Sequence, residues 1–262
     1  MFRAIERLGD RALYFIELWG QMGLFLLTTL ASLLRPPYQL HPILKQIHFI
    51  GARSTLVILV AGVFTGMVVA LQFYDTLVRF GSVAMLGSAV ALALIRELGP
   101  VLSALVVIGR AGSAICAEIG IMRNDEQIDA LECMAIDPYK YLIAPRILGG
   151  LIAVPALTMI FIVVGIFGGW FVGVVLFGVS EAAYFHGMYD TVVWHDVWMG
   201  IVKSFVFALI IVWVATVRGF FLHLDRSGVF GAEGVSRTTT NAVVFSTIGV
   251  LVSDYLISAV ML

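Results

Sequence analysis

The sequence predicts an all-α polytopic membrane protein, and three observations carry that prediction. Hydrophobic residues make up 61% of the 262 and charged residues 13%, against about 25% charged in a soluble domain. A soluble globule of this size has too little polar surface to clothe so much apolar side chain, and the mean hydropathy of +1.02 agrees. The scarce charges punctuate long apolar runs: Ser54 to Tyr74, Phe80 to Ile95, Leu98 to Gly109 and Ile147 to Ser180 carry none. Val197 to Val217 is broken only by Lys203, and Thr238 to Leu262 only by Asp254. The runs are continuous, without the polar residue at every second position that a barrel strand shows. This composition excludes a water-soluble enzyme and a disordered chain. A net charge of −1 leaves no basic footprint for nucleic acid, and two cysteines, Cys116 and Cys133, make no disulfide scaffold.

In chain order, residues 1–53 read as an interfacial region. Phe2, Ile5, Leu8, Ala12, Phe15, Trp19 and Met22 recur at helical spacing, with Arg3, Arg7, Asp10, Arg11 and Glu17 off that stripe. An amphipathic helix with basic residues and a Trp suits the membrane surface. Leu24 to Leu34 is apolar but short and ends at Pro36-Pro37, as in a re-entrant elbow; the rival reading is a sixth span over Leu18–Leu34. The first 35 residues are not a signal peptide, because charges interrupt the stretch where its apolar core belongs. Five spans of at least about 20 residues follow, over 54–76, 81–117, 147–178, 197–221 and 238–261. Straight, residues 147–178 would extend about 48 Å, so that span tilts, kinks at Pro155 or projects beyond the lipid. Gly62 and Gly66, and Gly165, Gly169 and Gly173, mark close helix approaches, within one chain or between two.

Lysine and arginine set the expected orientation. The N-terminal region holds Arg3, Arg7, Arg11, Arg35, Lys45 and Arg53; segment 118–146 holds Arg123, Lys140 and Arg146; segment 218–237 holds Arg218, Arg226 and Arg237. On the other side stand only Arg79 in the 77–80 turn and none in 179–196. The N-terminus and the basic loops are therefore expected in the cytoplasm and the C-terminus outside. Segment 179–196 and its flank carry Tyr184, Phe185, Tyr189, Trp194 and Trp198, an aromatic belt for the outer interface.

The chain carries no engine of its own. It has no P-loop, no G-x-S-x-G and no H-E-x-x-H. His186, Asp190, His195 and Asp196 share one segment, but their spacing fits no standard metal site. Four charges lie inside spans: Arg96, Glu97, Lys203 and Asp254. Each costs a few kcal/mol on insertion scales, so they either pair to hold helices together or line a substrate path. Pro100 cannot donate to the Arg96 carbonyl, which predicts a bend at the charged pair. Lys203 can snorkel to the outer surface; Asp254 is too short to snorkel and calls for a buried partner or water.

Segment 118–146 is the most informative. Asn124 or Asp125 can cap a short helix with Glu126 in its first turn. Ile128, Leu131 and Met134 or Ala135 form one face, and Asp137-Pro138 ends it. With Asp125, Glu126, Asp129 and Glu132 and no basic residue, it suits a protein partner better than an anionic leaflet.

Here the chain resembles a known family. Gly109-Arg110-Ala111-Gly112-Ser113-Ala114, Ala117-Glu118-Ile119-Gly120, Met122-Arg123, Glu126-Gln127 and Asp137-Pro138 through Pro145-Arg146 are similar to the signature of the MlaE (YrbE-like) permeases. These are the membrane subunits of MCE-type ABC transporters. Gly62 to Met67, Leu94 to Pro100 and Gly234 to Thr240 also resemble family segments, so the likeness covers almost the whole chain. It implies an elbow helix and five spans in a single permease domain, a homodimer, and a coupling helix at 118–138 seated on a cytoplasmic ABC ATPase (MlaF-like). It further implies a STAS-domain protein (MlaB-like), a periplasmic MCE hexamer (MlaD-like) and a phospholipid held between the two permeases. The system would sit in a bacterial inner membrane and maintain outer-membrane lipid asymmetry. No cofactor or metal is expected on this chain, ATP and Mg²⁺ belonging to the ATPase. Alternatives are an MCE permease for sterols or fatty acids and a proton-driven secondary transporter working through Glu97 and Asp254.

Residue by residue, the resemblance places Arg96, Glu97, Lys203 and Asp254 on the lipid path and Glu118, Arg123, Glu126 and Gln127 in the coupling region, which also holds Asp129 and Glu132. Val69, Phe73, Tyr74 and Phe80 are apolar candidates for the cavity wall, fixed by no motif.

Overall fold

The computed structural model describes residues 20–32, 40–222 and 231–261, and among them every regular element is helical. The amphipathic stripe expected from Phe2 lies largely outside the described residues. In order, the helices are α1 (20–32), α2 (Leu40–Arg79), α3 (Val83–Asn124), α4 (Gln127–Cys133), α5 (Tyr139–Leu176), α6 (Glu181–Thr191), α7 (Trp194–Phe220) and α8 (Gly231–Met261). Five of them, α2, α3, α5, α7 and α8, are long and apolar enough to cross a membrane.

The expected spans overlap these five helices, overrunning them by one or two residues at Gly81, Gly178 and Phe221, while at most of the remaining ends the helices run further than the spans. Polar residues at a helix end are solvated at the interface and give the backbone no reason to stop. The region assigned as interfacial up to 53 is thus helical from Leu40 and continuous with the first span. Continuity is kept by π turns, at His48–Ala52 in α2 and at Leu94–Leu98 and Ile108–Gly112 in α3. Each accommodates an extra residue without breaking the helix. Helix α5 runs through Pro155.

The glycines explain how the bundle closes. A Cβ on Gly66 would overlap the Gly165 carbonyl oxygen, one on Gly168 would strike the Val63 carbonyl, and one on Gly62 would lie 3.0 Å from the Phe161 carbonyl. The two glycine stripes read from the sequence therefore meet each other, α2 on α5 within one chain. Gly87 of α3 makes room in the same way for the backbone of Tyr184 in α6. This corrects one assignment: Tyr184 is fully buried rather than part of an interfacial belt. Its hydroxyl donates to the Ile166 carbonyl at 3.1 Å, and burial pushes the phenol well above the ordinary tyrosine range. Tyr189, Trp194 and Trp198 are exposed, as an aromatic belt requires. Helix α1 lies against the other end. Phe25 packs among Tyr139, Phe220 and Phe221, and Trp213 Nε1 donates to the Met22 carbonyl at 3.1 Å.

Candidate functional site

Three of the four intramembrane charges read from the sequence, Glu97, Lys203 and Asp254, converge on one point, and Arg96 joins it through its carbonyl. It begins with the backbone of α3. In the π turn Leu94–Leu98, Gly99 N–H reaches back to the Leu94 carbonyl, and Pro100 has no N–H to offer Arg96. Two carbonyls in succession are thereby left for other partners. Gly200 of α7 lies so close that an added Cβ would stand 2.7 Å from the Ile95 oxygen. One turn further, Lys203 Nζ donates to the Arg96 carbonyl at 2.8 Å. The expected kink is thus a widened turn, and its free carbonyl is occupied by a lysine.

The Lys203 ammonium also lies 2.7 Å from Glu97 Oε2 and 2.8 Å from Asp254 Oδ1. Three oxygens surround a group with three protons, and the Lys203 side chain is 0% exposed. Snorkelling, which the sequence allowed for Lys203, does not occur. It sits nine residues inside α7, about 14 Å from the helix start, and two carboxylates fix it there. Asp254 finds the partner expected of it. Glu97 is 41% exposed, so one side of the cluster is open while its centre is sealed. Ser258, one turn after Asp254, donates to Glu97 Oε1 at 3.0 Å.

Arg96 turns the other way. Its Nε and terminal nitrogen lie 2.8 and 2.7 Å from Asp196 Oδ1, while Asp196 Oδ2 accepts from Val193 N–H at 3.0 Å and caps α7. Sequence reasoning left Asp196 in an outer polar loop. The signal was available: Asp196 lies seven residues before Lys203, two turns along the same face of one helix. Ser258, at i+4 from Asp254, carries the same kind of signal. His195 Nε2 lies 2.9 Å from the Met261 carbonyl. Among the described residues no three histidine, cysteine or acidic side chains are grouped as a metal site would need.

The apolar candidates are placed differently. Val69 is buried in the core and Phe73 is half-buried against it. Tyr74 stacks on Phe177 at 4.0 Å between ring centroids, and Phe80 ends α2 fully outward at 77% exposure.

The second feature is the acidic helix α4 at the basic end. Its start differs from the expectation. Glu126 precedes the helix, with a left-handed φ of +58°, and it is this turn that breaks α3 from α4. Asn124 does not cap α4, since its side-chain oxygen accepts from Gly231 N–H at 3.0 Å, at the head of α8. The end is a Schellman closure: Ala135 is left-handed at φ +57° and Ile136 N–H reaches the Leu131 carbonyl at 3.0 Å. The apolar face is consequently short, with Ile128 buried and Met134 61% exposed.

Of the six coupling candidates, three build the segment. Arg123 binds Asp129 at 2.8 Å. Glu118 binds the buried Arg146 at 3.1 Å, clamping the ends of α3 and α5 on either side of α4. Glu126, Gln127 and Glu132 are exposed and form an acidic and polar outer face. Arg110 of the Gly109 to Ala114 run is half-buried, donating to the Phe49 carbonyl and Ser54 Oγ, both at 2.8 Å.

This architecture has known counterparts. A family profile described as Permease MlaE matches residues 43–260. The intermembrane phospholipid transport system permease protein MlaE of Haemophilus influenzae is 40% identical over 260 residues, 98% of this chain and 97% of that one. A probable ABC transporter permease protein of Rickettsia conorii is 40% identical over 258 residues, with the same coverage of each chain. The chloroplastic protein TRIGALACTOSYLDIACYLGLYCEROL 1 of Arabidopsis thaliana is 34% identical over 216 residues, 82% of this chain and 60% of that one. A profile spanning five-sixths of the molecule, all five membrane helices included, and relatives similar from end to end lead to one conclusion: the chain belongs to the MlaE permease family.

Proposed function

We propose that the chain is the permease subunit of an ABC transporter that moves phospholipid between the inner and outer membranes of a bacterium and so maintains outer-membrane lipid asymmetry. The observation that carries this reading is the pairing of two features in one bundle. One is a half-open charge cluster inside the spans, and the other an exposed acidic helix, α4, at the basic end. Acyl chains need apolar walls and head groups a few fixed charges, which the cluster and its surroundings supply. ATP hydrolysis belongs to a separate, MlaF-like ATPase docked on Glu126, Gln127 and Glu132. A homodimer, a MlaB-like STAS protein and a MlaD-like MCE hexamer complete the assembly. The similarity to the intermembrane phospholipid transport permease of Haemophilus influenzae supports the substrate class. Reconstituted with its ATPase, the permease is expected to transfer labelled phospholipid when ATP is supplied. Transfer by the permease alone, driven by a pH gradient without ATP, would overturn the proposal in favour of a proton-coupled transporter.

The orientation that goes with this function puts α4 in the cytoplasm and the end of α8 in the periplasm. Cys133 closes α4 and is exposed, whereas Cys116 is buried. A membrane-impermeant maleimide is expected to label Cys133 in inside-out vesicles and not in intact cells. Labelling from outside would reverse the topology.

A further inference from the structure

Arg79, Arg96, Arg123 and Arg146 are each tied to a carboxylate, of Asp75, Asp196, Asp129 and Glu118 respectively. Among the described residues Arg53 and Arg110 have no such partner, yet they stand together. Their guanidinium carbons lie 5.5 and 5.4 Å from the centre of one ring, that of Phe49. Arg218 and Arg237 also lack a carboxylate, but Arg218 stands over a ring of its own, Phe245. Among the described residues only the Phe49 ring carries two cations.

Two π turns bring the pair together. In the turn His48–Ala52 of α2, Arg53 N–H reaches back to the His48 carbonyl, so the Phe49 carbonyl loses its usual helical donor. Arg110, in the turn Ile108–Gly112 of α3, takes the vacant acceptor. One terminal nitrogen donates to the Phe49 carbonyl and to Ser54 Oγ, both at 2.8 Å. That nitrogen fixes Arg110 against α2, while Arg53 is exposed. No acidic residue is near along either helix. From Leu40 to Tyr74, α2 has none. Along α3, Glu118 is about 12 Å from Arg110 and held by Arg146, and Glu97 is about 20 Å away at the Lys203 cluster. The ring face attracts each cation, but it does not cancel their mutual repulsion. An anion does, and the planar fork of a guanidinium matches the oxygens of a phosphate.

Depth selects the source of that phosphate. Arg53 immediately precedes the charge-free stretch Ser54 to Tyr74, 21 residues. As a helix it covers about 31 Å, against about 30 Å for the hydrocarbon core of a bilayer. Arg53, and Arg110 with it, therefore stand at the level of lipid head groups, on the basic side of the bundle where α4 lies. We propose that Arg53, Arg110 and Phe49 form a binding site for the phosphate of a phospholipid in the cytoplasmic leaflet, separate from the Lys203 cluster. Arg110 is its fixed half and Arg53 its exposed half. The permease thus holds lipid at two depths, one at a leaflet surface and one inside the spans. Only the choice of leaflet rests on the orientation given above.

The test uses the full-length permease in detergent, with Cys133→Ala and with Gly109→Cys carrying an environment-sensitive fluorophore. Position 109 adjoins Arg110, a Cβ there meets nothing within 4 Å, and the remaining Cys116 is buried. Titration with dioleoylphosphatidylglycerol is expected to give a saturable signal. Dioleoylglycerol, the same chains without the phosphate, is expected to give none. Arg53→Gln is expected to weaken phosphatidylglycerol binding about tenfold, the loss of one charge-assisted contact, and Arg53→Lys to recover part of it. Unchanged thermal midpoints exclude unfolding as the cause. Arg237→Gln removes another exposed arginine without a carboxylate from the same end and is expected to leave binding unchanged. Wild-type binding in Arg53→Gln, or an equal loss in Arg237→Gln, overturns the site. Displacement of the lipid by inorganic phosphate at millimolar concentration overturns its assignment to a lipid. Binding in detergent involves neither ATP nor orientation, so its failure is distinct from failure of the transport reaction or of the topology.

Discussion

Lys203→Met is expected to destabilise the protein by about 3–5 kcal/mol, the usual consequence of removing one partner from a buried ion pair. The side chain is sealed from solvent, and its loss leaves Glu97 and Asp254 facing each other with their shared cation gone and the Arg96 carbonyl unpaired. Glu97 is partly exposed and water can reach it, so the lower end of that range is the expected value. The loss should be read as a shift in the unfolding midpoint of the purified permease in detergent. The triple substitution Lys203→Met, Glu97→Gln, Asp254→Asn should recover most of the stability, because it removes the stranded charges along with their partner. It should not recover lipid transfer. A triple variant as unstable as the single one would mean that Lys203 matters for its shape and not its charge.

Gly66→Ala is expected to be at least as damaging through an entirely different cause. Its methyl group would fall on the Gly165 carbonyl oxygen, which belongs to the backbone of α5 and cannot rotate aside. The two helices would have to separate, breaking the neighbouring approach of Gly168 to Val63 as well. Overpacking a well-filled core costs about 1–3 kcal/mol when side chains can yield, and here the obstacle is main chain, so the upper end of that range is expected. The control is Gly109→Ala, where an added Cβ meets nothing within 4 Å and the higher helix propensity of alanine favours a small gain. Both variants are compared by thermal unfolding. Equal midpoints would show that the α2–α5 approach is looser than the structure has it.

These two positions illustrate how unevenly the site was legible in the sequence. Gly62, Gly66, Gly165 and Gly169 announce close approach by their spacing alone, since only a residue without a side chain lets helix backbones touch in lipid. Spacing does not say which stripe meets which. Pro100 likewise announced that the Arg96 carbonyl would lose its helical donor, but not that an ammonium nine residues into another helix would take it. Lys203 read equally well as a snorkelling residue, because one lysine near a helix end has the same local sequence whether it turns to water or to a buried carboxylate. Asp196 was missed as a partner because the sequence grouped it with His186, Asp190 and His195 of its own segment, whereas its partner in space, Arg96, is 100 residues away. The start of α4 was misplaced by one or two residues because a glutamate in left-handed conformation carries no composition signal of the kind glycine gives.

The sequence alone determined that the chain is helical and membrane-embedded, where five of its long apolar stretches run, which four charges lie within them and which short acidic segment stands apart. These follow from one-dimensional quantities: length of apolar run, scarcity of charge and helical period, each set by the thickness and dielectric of the bilayer. Only the tertiary structure decided that Glu97 and Asp254 share the Lys203 ammonium, that Arg96 turns instead to Asp196, that Ser258 joins Glu97, and that the glycine stripes close α2 on α5. Pairing between helices depends on rotation and register about their axes. Those are settled by packing across the whole bundle, not by any stretch of chain read on its own.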